Sequence, residues 1–319
     1  MSIKNIILKI RYLLFKEYIE PIKWGDPDWE EDWNNPSYVI NTDFMFGGNT
    51  LSASYISNDC VEVKSNELHL KTIKLKTPEY RSHWSGNFTC YWKSAWVDYR
   101  DNNNVKSIYG TWVFNILAPT SDMAPALWFL RPAYSPEELR FKCGVSKIEN
   151  NTVTLSETPE RKPGVNWWLL DIDNVLGRIQ SYDETNKIII IDKNIENVNQ
   201  TNVLISGDCI TPEVDLMEII NKKFKHTIHY GPTYDAYRKY QIGPYMGKPI
   251  KNKEYEFAVR ILPTKYEFFI DGIKTAEIND ALSNQSVYPI LGSAVNSKGD
   301  LTLDSIPDFI IKRMRYYKI

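Results

Sequence analysis

Residues Pro212 to Ile220 read PEVDLMEII, with three carboxylates, Glu213, Asp215 and Glu218, set in an otherwise apolar run. Two carboxyl groups facing each other across a cleft hydrolyse a glycosidic bond with retention. One attacks the anomeric carbon, and the other, held protonated, delivers a proton to the departing oxygen. Direct attack needs roughly 5 to 5.5 Å between them. A third acid in the middle hydrogen-bonds the nucleophile, or keeps the proton on the acid by like-charge repulsion. The competing explanation is a solvated acidic strand face, because E-x-D-x-x-E is short.

The backbone must bring the acids together. On a strand Glu213 and Asp215 share one face while Glu218 points to the other, so one residue is surplus. A β-bulge made from Leu216 and Met217 restores Glu218 to the first face and directs Val214 and Ile219 into a core. A helix scatters the acids, placing Glu213 and Asp215 about 200° apart. The β-branched and aromatic HTIHYG that follows also favours the strand.

Neighbouring stretches strengthen the chemical reading. APALWFL (Ala124 to Leu130) lies upstream, HTIHYGP (His226 to Pro232) follows, YEFFIDG (Tyr266 to Gly272) comes later, and IIKRMRYYKI closes the chain. In that order, with the YGTW strand around Gly110, they resemble family 16 glycoside hydrolases, the laminarinase, agarase and carrageenase group. The acid motif of its bulged subgroup, E-[IV]-D-[IVL]-[MV]-E, is matched by Glu213 through Glu218. The resemblance covers roughly residues 40 to 130 and 209 to 319. It implies a concanavalin A-like jelly-roll β-sandwich, with Glu213 as nucleophile, Asp215 as its helper and Glu218 as acid/base. It places Trp128 and His229 around the cleaved sugar, with Trp112 and Tyr230 as weaker candidates. Core packing is the alternative for Trp128, and a structural role for His229. No cofactor is implied, although many family members carry a structural calcium ion away from the cleft. Ala124-Pro125-Ala126 stands where laminarinases show W-P-A, so one cleft aromatic is absent or supplied from elsewhere.

Composition sets the frame. The 319 residues, 43% hydrophobic, are ample for one large core or a core with a smaller insert. The net charge of -2 gives no electrostatic footprint for nucleic acid. The four cysteines show no C-x-x-C spacing and the four histidines no H-E-x-x-H, so no metal site is expected. No stretch approaches the roughly 20 apolar residues of a membrane span. Short alternating runs such as NELHLKTIKL, EYEFAVRIL and FIIKRMRYYKI, separated by turn residues, predict an all-β sandwich. The best hairpin, AVRILPTKYEFFIDG, turns at Pro263 and Thr264.

Three segments follow from this texture. Residues 1–22 hold an amphipathic helix, with Ile3, Ile6, Ile7, Ile10, Leu13 and Leu14 at helical spacing. Its apolar run is broken by Lys4, Lys9 and Arg11, which argues against a cleavable signal peptide. That face needs a cover: its own domain, a larger assembly, or a membrane surface. Residues 23–131 and 208–319 form the jelly-roll domain, and residues 132–207 a small inserted β module. A Cys143–Cys209 disulfide at the base of the insert is one reading, and two buried thiols the other. Trp92, Trp96, Trp167 and Trp168 are either sugar platforms or packing.

The expected function is that of a retaining endo-glycoside hydrolase acting on a β-linked polysaccharide. A non-catalytic carbohydrate-binding or structural protein on the same fold is the alternative. The unprocessed N-terminus, its docking-type helix and the insert also fit a phage depolymerase or tail component. The expected location is then the virion or the extracellular space.

Overall fold

Alternation builds the sandwich. In the strand Glu254–Leu262, Tyr255, Phe257, Val259 and Ile261 are buried while Glu254, Glu256 and Arg260 are not, as expected where one sheet face meets a core. The structure is a computed structural model. It describes residues 3–42, 45–46, 51–83, 86–102, 109–130, 140–165, 167–171, 174–195, 201–206, 213–220, 222–230, 238–242, 246–279 and 286–319.

Two antiparallel sheets face each other. In the back sheet the strands Ile273–Ile278, Lys265–Ile270, Glu254–Leu262, Gly110–Leu117, Ser305–Tyr317 and Glu67–His83 lie side by side in that order. The front sheet runs Arg238–Ile242, Lys223–Tyr230, Glu213–Ile220, Ala126–Leu130, Tyr288–Ser293 and Gly86–Asp98. The last strand belongs to both. Lys93 pairs with Ile73 in the back sheet, whereas Ala95 to Asp98 pair with Ser293 to Ile290 in the front one. One core lies between, to which Val214, Leu216, Ile219, Phe224 and Ile228 contribute from the front and Phe114, Phe257, Val259, Phe268 and Phe309 from the back. This is the jelly-roll sandwich expected from the sequence.

The expected hairpin closes at Pro263 and Thr264, since Leu262 pairs with Lys265. The next turn shows why YEFFIDG ends as it does. Asp271 and Gly272 both have positive φ, 52° and 71°, as a two-residue hairpin turn requires. A Cβ on Gly272 would also lie 2.8 Å from Pro21 Cβ.

The insert is more regular than the sequence implies. Arg140–Glu149, Thr152–Leu155, Ile188–Ile191, Asn174–Asp183, Trp168–Asp171 and Asn202–Ser206 close into a six-stranded barrel. It has its own core around Phe141, Leu169, Ile179, Ile189 and Ile205. Trp168 and Leu170 join the main core instead. Cys143 is a free buried thiol directed at the Glu157 carbonyl, so it is not half of a disulfide; Cys209 lies outside the described residues.

The N-terminal helix, Ile3–Phe15, corrects one expectation. It rests on the strand Ile273–Ile278 through Asn5, Leu8 and Tyr12 rather than through its aliphatic face. The Asn5 amide donates to the Glu277 carbonyl at 3.1 Å and its oxygen accepts from the Glu277 N–H at 3.0 Å. Lys4 bonds the Glu277 carboxylate. Ile3, Ile7, Ile10 and Leu14 are left exposed.

Candidate active site

The bulge is where the sequence placed it. Asp215 pairs with Thr227 and Glu218 with Lys225, so three steps on one strand oppose two on the other. The strand Ala126–Leu130 shows the same irregularity between Asp215 and Met217. Leu216 and Met217 are both fully buried. A bulge takes a carbonyl out of the ladder, and a buried carbonyl needs another donor. His226 supplies it, its Nδ1 lying 2.5 Å from the Leu216 oxygen. Its Nε2 lies 3.0 Å from Thr275 Oγ1, and its ring stacks on Phe268 at 4.8 Å between centroids. Burial holds the imidazole neutral, its pKa lowered to about 4 against the pull of the Leu216 carbonyl. A neutral ring that gives Nδ1–H to Leu216 leaves Nε2 as an acceptor beside the Thr275 hydroxyl, which also lies 3.1 Å from the Phe268 carbonyl.

With the bulge in place, the acids meet the next strand's side chains. Glu213 lies opposite His229 and Asp215 opposite Thr227. His229 Nε2 is 2.9 Å from Asp215 Oδ2 and 3.8 Å from Glu213 Oε1. Thr227 Oγ1 donates to Glu218 Oε2 at 2.8 Å. Asp215 and His229 are buried, whereas Glu213 and Glu218 are partly open to solvent. The inner pair braces the row and the outer two carboxylates remain available to a ligand. Lys225, 4% exposed, is the cross-strand partner of Glu218.

On the other side, Asp215 is directly beside Trp128, which is beside Ile290. Trp128 is partly exposed and meets Trp96 edge-on, with centroids 5.0 Å apart. Glu218 leads through Ala126 and Gly292 to Trp96, so two small residues form the floor between an acid and an aromatic. Phe46 closes that end, its ring 3.7 Å from where a Gly292 Cβ would stand.

The structure therefore brings Glu213, Asp215, Glu218, His229 and Trp128 to one face. Trp112 does not belong there. It is 1% exposed, packed between Trp29, Phe129 and Tyr316 in the core. Tyr230 pairs with Arg238 through its backbone, and its side chain lies outside the described residues. Trp92, Trp96 and Trp168 are buried, and Trp167 packs near Phe141. Sequence reasoning missed Thr227, Lys225 and His226. The signal was available in KHTIHYG, where period-two alternation puts residues 225, 227 and 229 together and turns His226 inward.

Among the described residues, Glu213, Asp215 and His229 are the group with converging metal-ligand atoms, all within 4.8 Å. Calcium takes about six to eight oxygen ligands, more than these residues offer. The short His229–Asp215 contact makes this an ion-paired brace when the ring is protonated.

Neither a family model nor a curated protein matches this sequence. Solved structures do. The laminarinase catalytic domain from Thermotoga maritima MSB8 is 14% identical, with a TM-score of 0.52 over 92% of this chain and 98% of that one. LamAcat from Zobellia galactanivorans is 14% identical, with a TM-score of 0.54 over 92% and 98%. SCLam, a non-specific endo-beta-1,3(4)-glucanase from family GH16, is 13% identical, with a TM-score of 0.54 over 94% of each chain. The chain shares their jelly-roll fold. At this identity the likeness is one of fold, and the roles of individual residues rest on the geometry above.

Proposed function

We propose that the protein is a retaining endo-glycoside hydrolase acting on a β-linked polysaccharide. The observation that carries the reading is the bulge at Leu216 and Met217, which turns three acids toward one face beside Trp128. A sugar ring rests against Trp128. Glu218, protonated, gives its proton to the glycosidic oxygen while the Glu213 carboxylate attacks the anomeric carbon, forming a glycosyl ester. The Glu218 carboxylate then takes a proton from water, the water attacks the same carbon, and Glu213 leaves as a carboxylate. Asp215, held by His229, fixes Glu213 and repels a second negative charge nearby. Neither step needs a cofactor. The similar structures of a laminarinase and an endo-beta-1,3(4)-glucanase support laminarin and mixed-linkage β-glucan as the first substrates to try.

One observation favours a second reading, glycan binding without cleavage. The Thr227 hydroxyl already donates to Glu218 Oε2 at 2.8 Å, so one oxygen of the acid/base candidate is occupied within the protein. Digestion of β-glucans, agarose, carrageenan and capsular polysaccharides separates the two. Hydrolysis requires reducing ends from wild type, lost in a folded Glu213→Gln variant. Glycan binding that persists in Glu213→Gln and Glu218→Gln, with no product from wild type, assigns binding alone.

A further inference from the structure

The N-terminal helix presents to solvent the residues that should be hidden. At about 100° per residue, Ile3, Ile6, Ile7, Ile10, Leu13 and Leu14 occupy one arc of about 120°. All six are exposed, from 37% for Ile6 to 77% for Ile3. The opposite side holds Asn5, Leu8 and Tyr12, which are buried against the sandwich. The helix is thus fastened by the side that carries Asn5, Leu8 and Tyr12 and displays its aliphatic side. Phe15, Tyr18 and Ile22 extend the apolar surface, at 50%, 85% and 38% exposure.

What surrounds this arc is cationic. Residues 3–16 contain Lys4, Lys9, Arg11 and Lys16 and no acid. Lys4 is taken up by Glu277, while Lys9 and Arg11 flank the arc on its two sides. Partial burial and the nearby Lys223 charge both hold the Lys9 ammonium below its ordinary value. Gly247 lies against Leu13, and the segment it begins adds exposed Lys248, Ile250 and Lys251. A chain of net charge -2 places several of its 38 cations around one aliphatic surface, although Glu17 and Glu20 follow the helix.

We propose that this helix is a membrane-surface anchor that lays its aliphatic arc into an anionic lipid leaflet. A narrow arc of Ile and Leu flanked by Lys and Arg suits burial to the acyl boundary, with long cationic stems reaching phosphate headgroups. Charge complementarity selects the occupant. A second copy of the chain docking through the same arc would set Lys9 and Arg11 against like charges. Protein-binding patches centre on aromatic and Arg anchors, whereas this arc's centre is wholly aliphatic. Among the described residues no helix is long and apolar enough to cross a membrane, so the helix lies on the bilayer. An enzyme or glycan-binding domain held this way works on polymer beside a lipid surface.

Flotation of the full chain with vesicles tests this, using pure phosphatidylcholine and phosphatidylcholine with phosphatidylglycerol. Wild type should bind the anionic vesicles at least tenfold more tightly and lose most binding in high salt. The double variant Ile7→Glu/Leu14→Glu should lose binding at least tenfold, and Lys9→Glu/Arg11→Glu should abolish the preference for anionic lipid. Both should keep the wild-type melting temperature, because the altered side chains are partly or largely exposed. Absence of binding, or equal binding to both vesicles, overturns the proposal. So does a concentration-dependent oligomer in lipid-free sedimentation that Ile7→Glu/Leu14→Glu dissolves, or equally tight docking to a protein particle free of lipid. None of these results depends on glycan cleavage.

Discussion

His226 gives its Nδ1 proton to the carbonyl oxygen of Leu216, the residue that makes the bulge in the acid-bearing strand. Depth and chemistry act together here. A carbonyl expelled from the ladder is tolerable in a core only with a donor, and this donor must stay neutral because it is fully buried beneath Phe268. A residue on the core side of the sheet thereby fixes the backbone step that orients acids on the other side.

Acid should loosen this arrangement through His226. The folded pKa of His226 is lowered to about 4 from 6.5, so the unfolded chain binds the extra proton first. The stabilisation is complete above pH 6.5 and is lost as pH falls toward 4. Its size is on the order of 3 kcal/mol. Urea unfolding at pH 7, 5.5 and 4 should show wild type weakening across this window. His226→Gln, which keeps an N–H donor that does not titrate, should show a flatter slope.

The Thr227 hydroxyl holds Glu218 Oε2 at 2.8 Å. Thr227→Val removes that donor while keeping the shape of the side chain, so Glu218 should lose its fixed position. The kcat/KM value should fall about tenfold, on the order of 1.4 kcal/mol. An unaltered kcat/KM on a hydrolysed β-glycan would remove this contact from the catalytic arrangement.

Two tryptophans in the same sheet sandwich should part company. Trp128→Ala should raise KM about tenfold, on the order of 1.4 kcal/mol, with little change in melting temperature. Trp112→Ala empties a core position and should cost about 3 to 5 kcal/mol of stability. Isothermal binding of an unreactive oligosaccharide, paired with thermal melts, distinguishes them.

Treatment with a chelator should leave glycan turnover unchanged. Glu213 and Asp215 are already engaged by one imidazole, and each catalytic step uses only protein groups. A loss restored by one divalent ion would instead assign Glu213, Asp215 and His229 to that metal.

How far the sequence reached is clearest in the acid strand. Its surplus residue was visible because period two cannot place Glu213 and Glu218 on one face without a bulge. The hairpin at Pro263 and Thr264 was equally local. Trp112 was misjudged because an aromatic beside a family-like motif reads the same whether it faces a cleft or a core; only the pairing with Tyr316 and Val259 decides it. The closed barrel depends on Arg140–Glu149 meeting Asn202–Ser206, a long-range pairing that no local pattern encodes. The helix misled for another reason. Its periodicity was read correctly, but the side that packs was chosen by Asn5 and the Glu277 backbone rather than by apolar area.

The stereochemistry of the first product formed is the most direct test. Proton NMR of a defined β-linked oligosaccharide should show the new reducing end appear as the β-anomer before mutarotation, in wild type and not in Glu213→Gln. Initial release of the α-anomer, or no release from any β-glycan by correctly folded protein, would contradict a double displacement through Glu213 and Glu218.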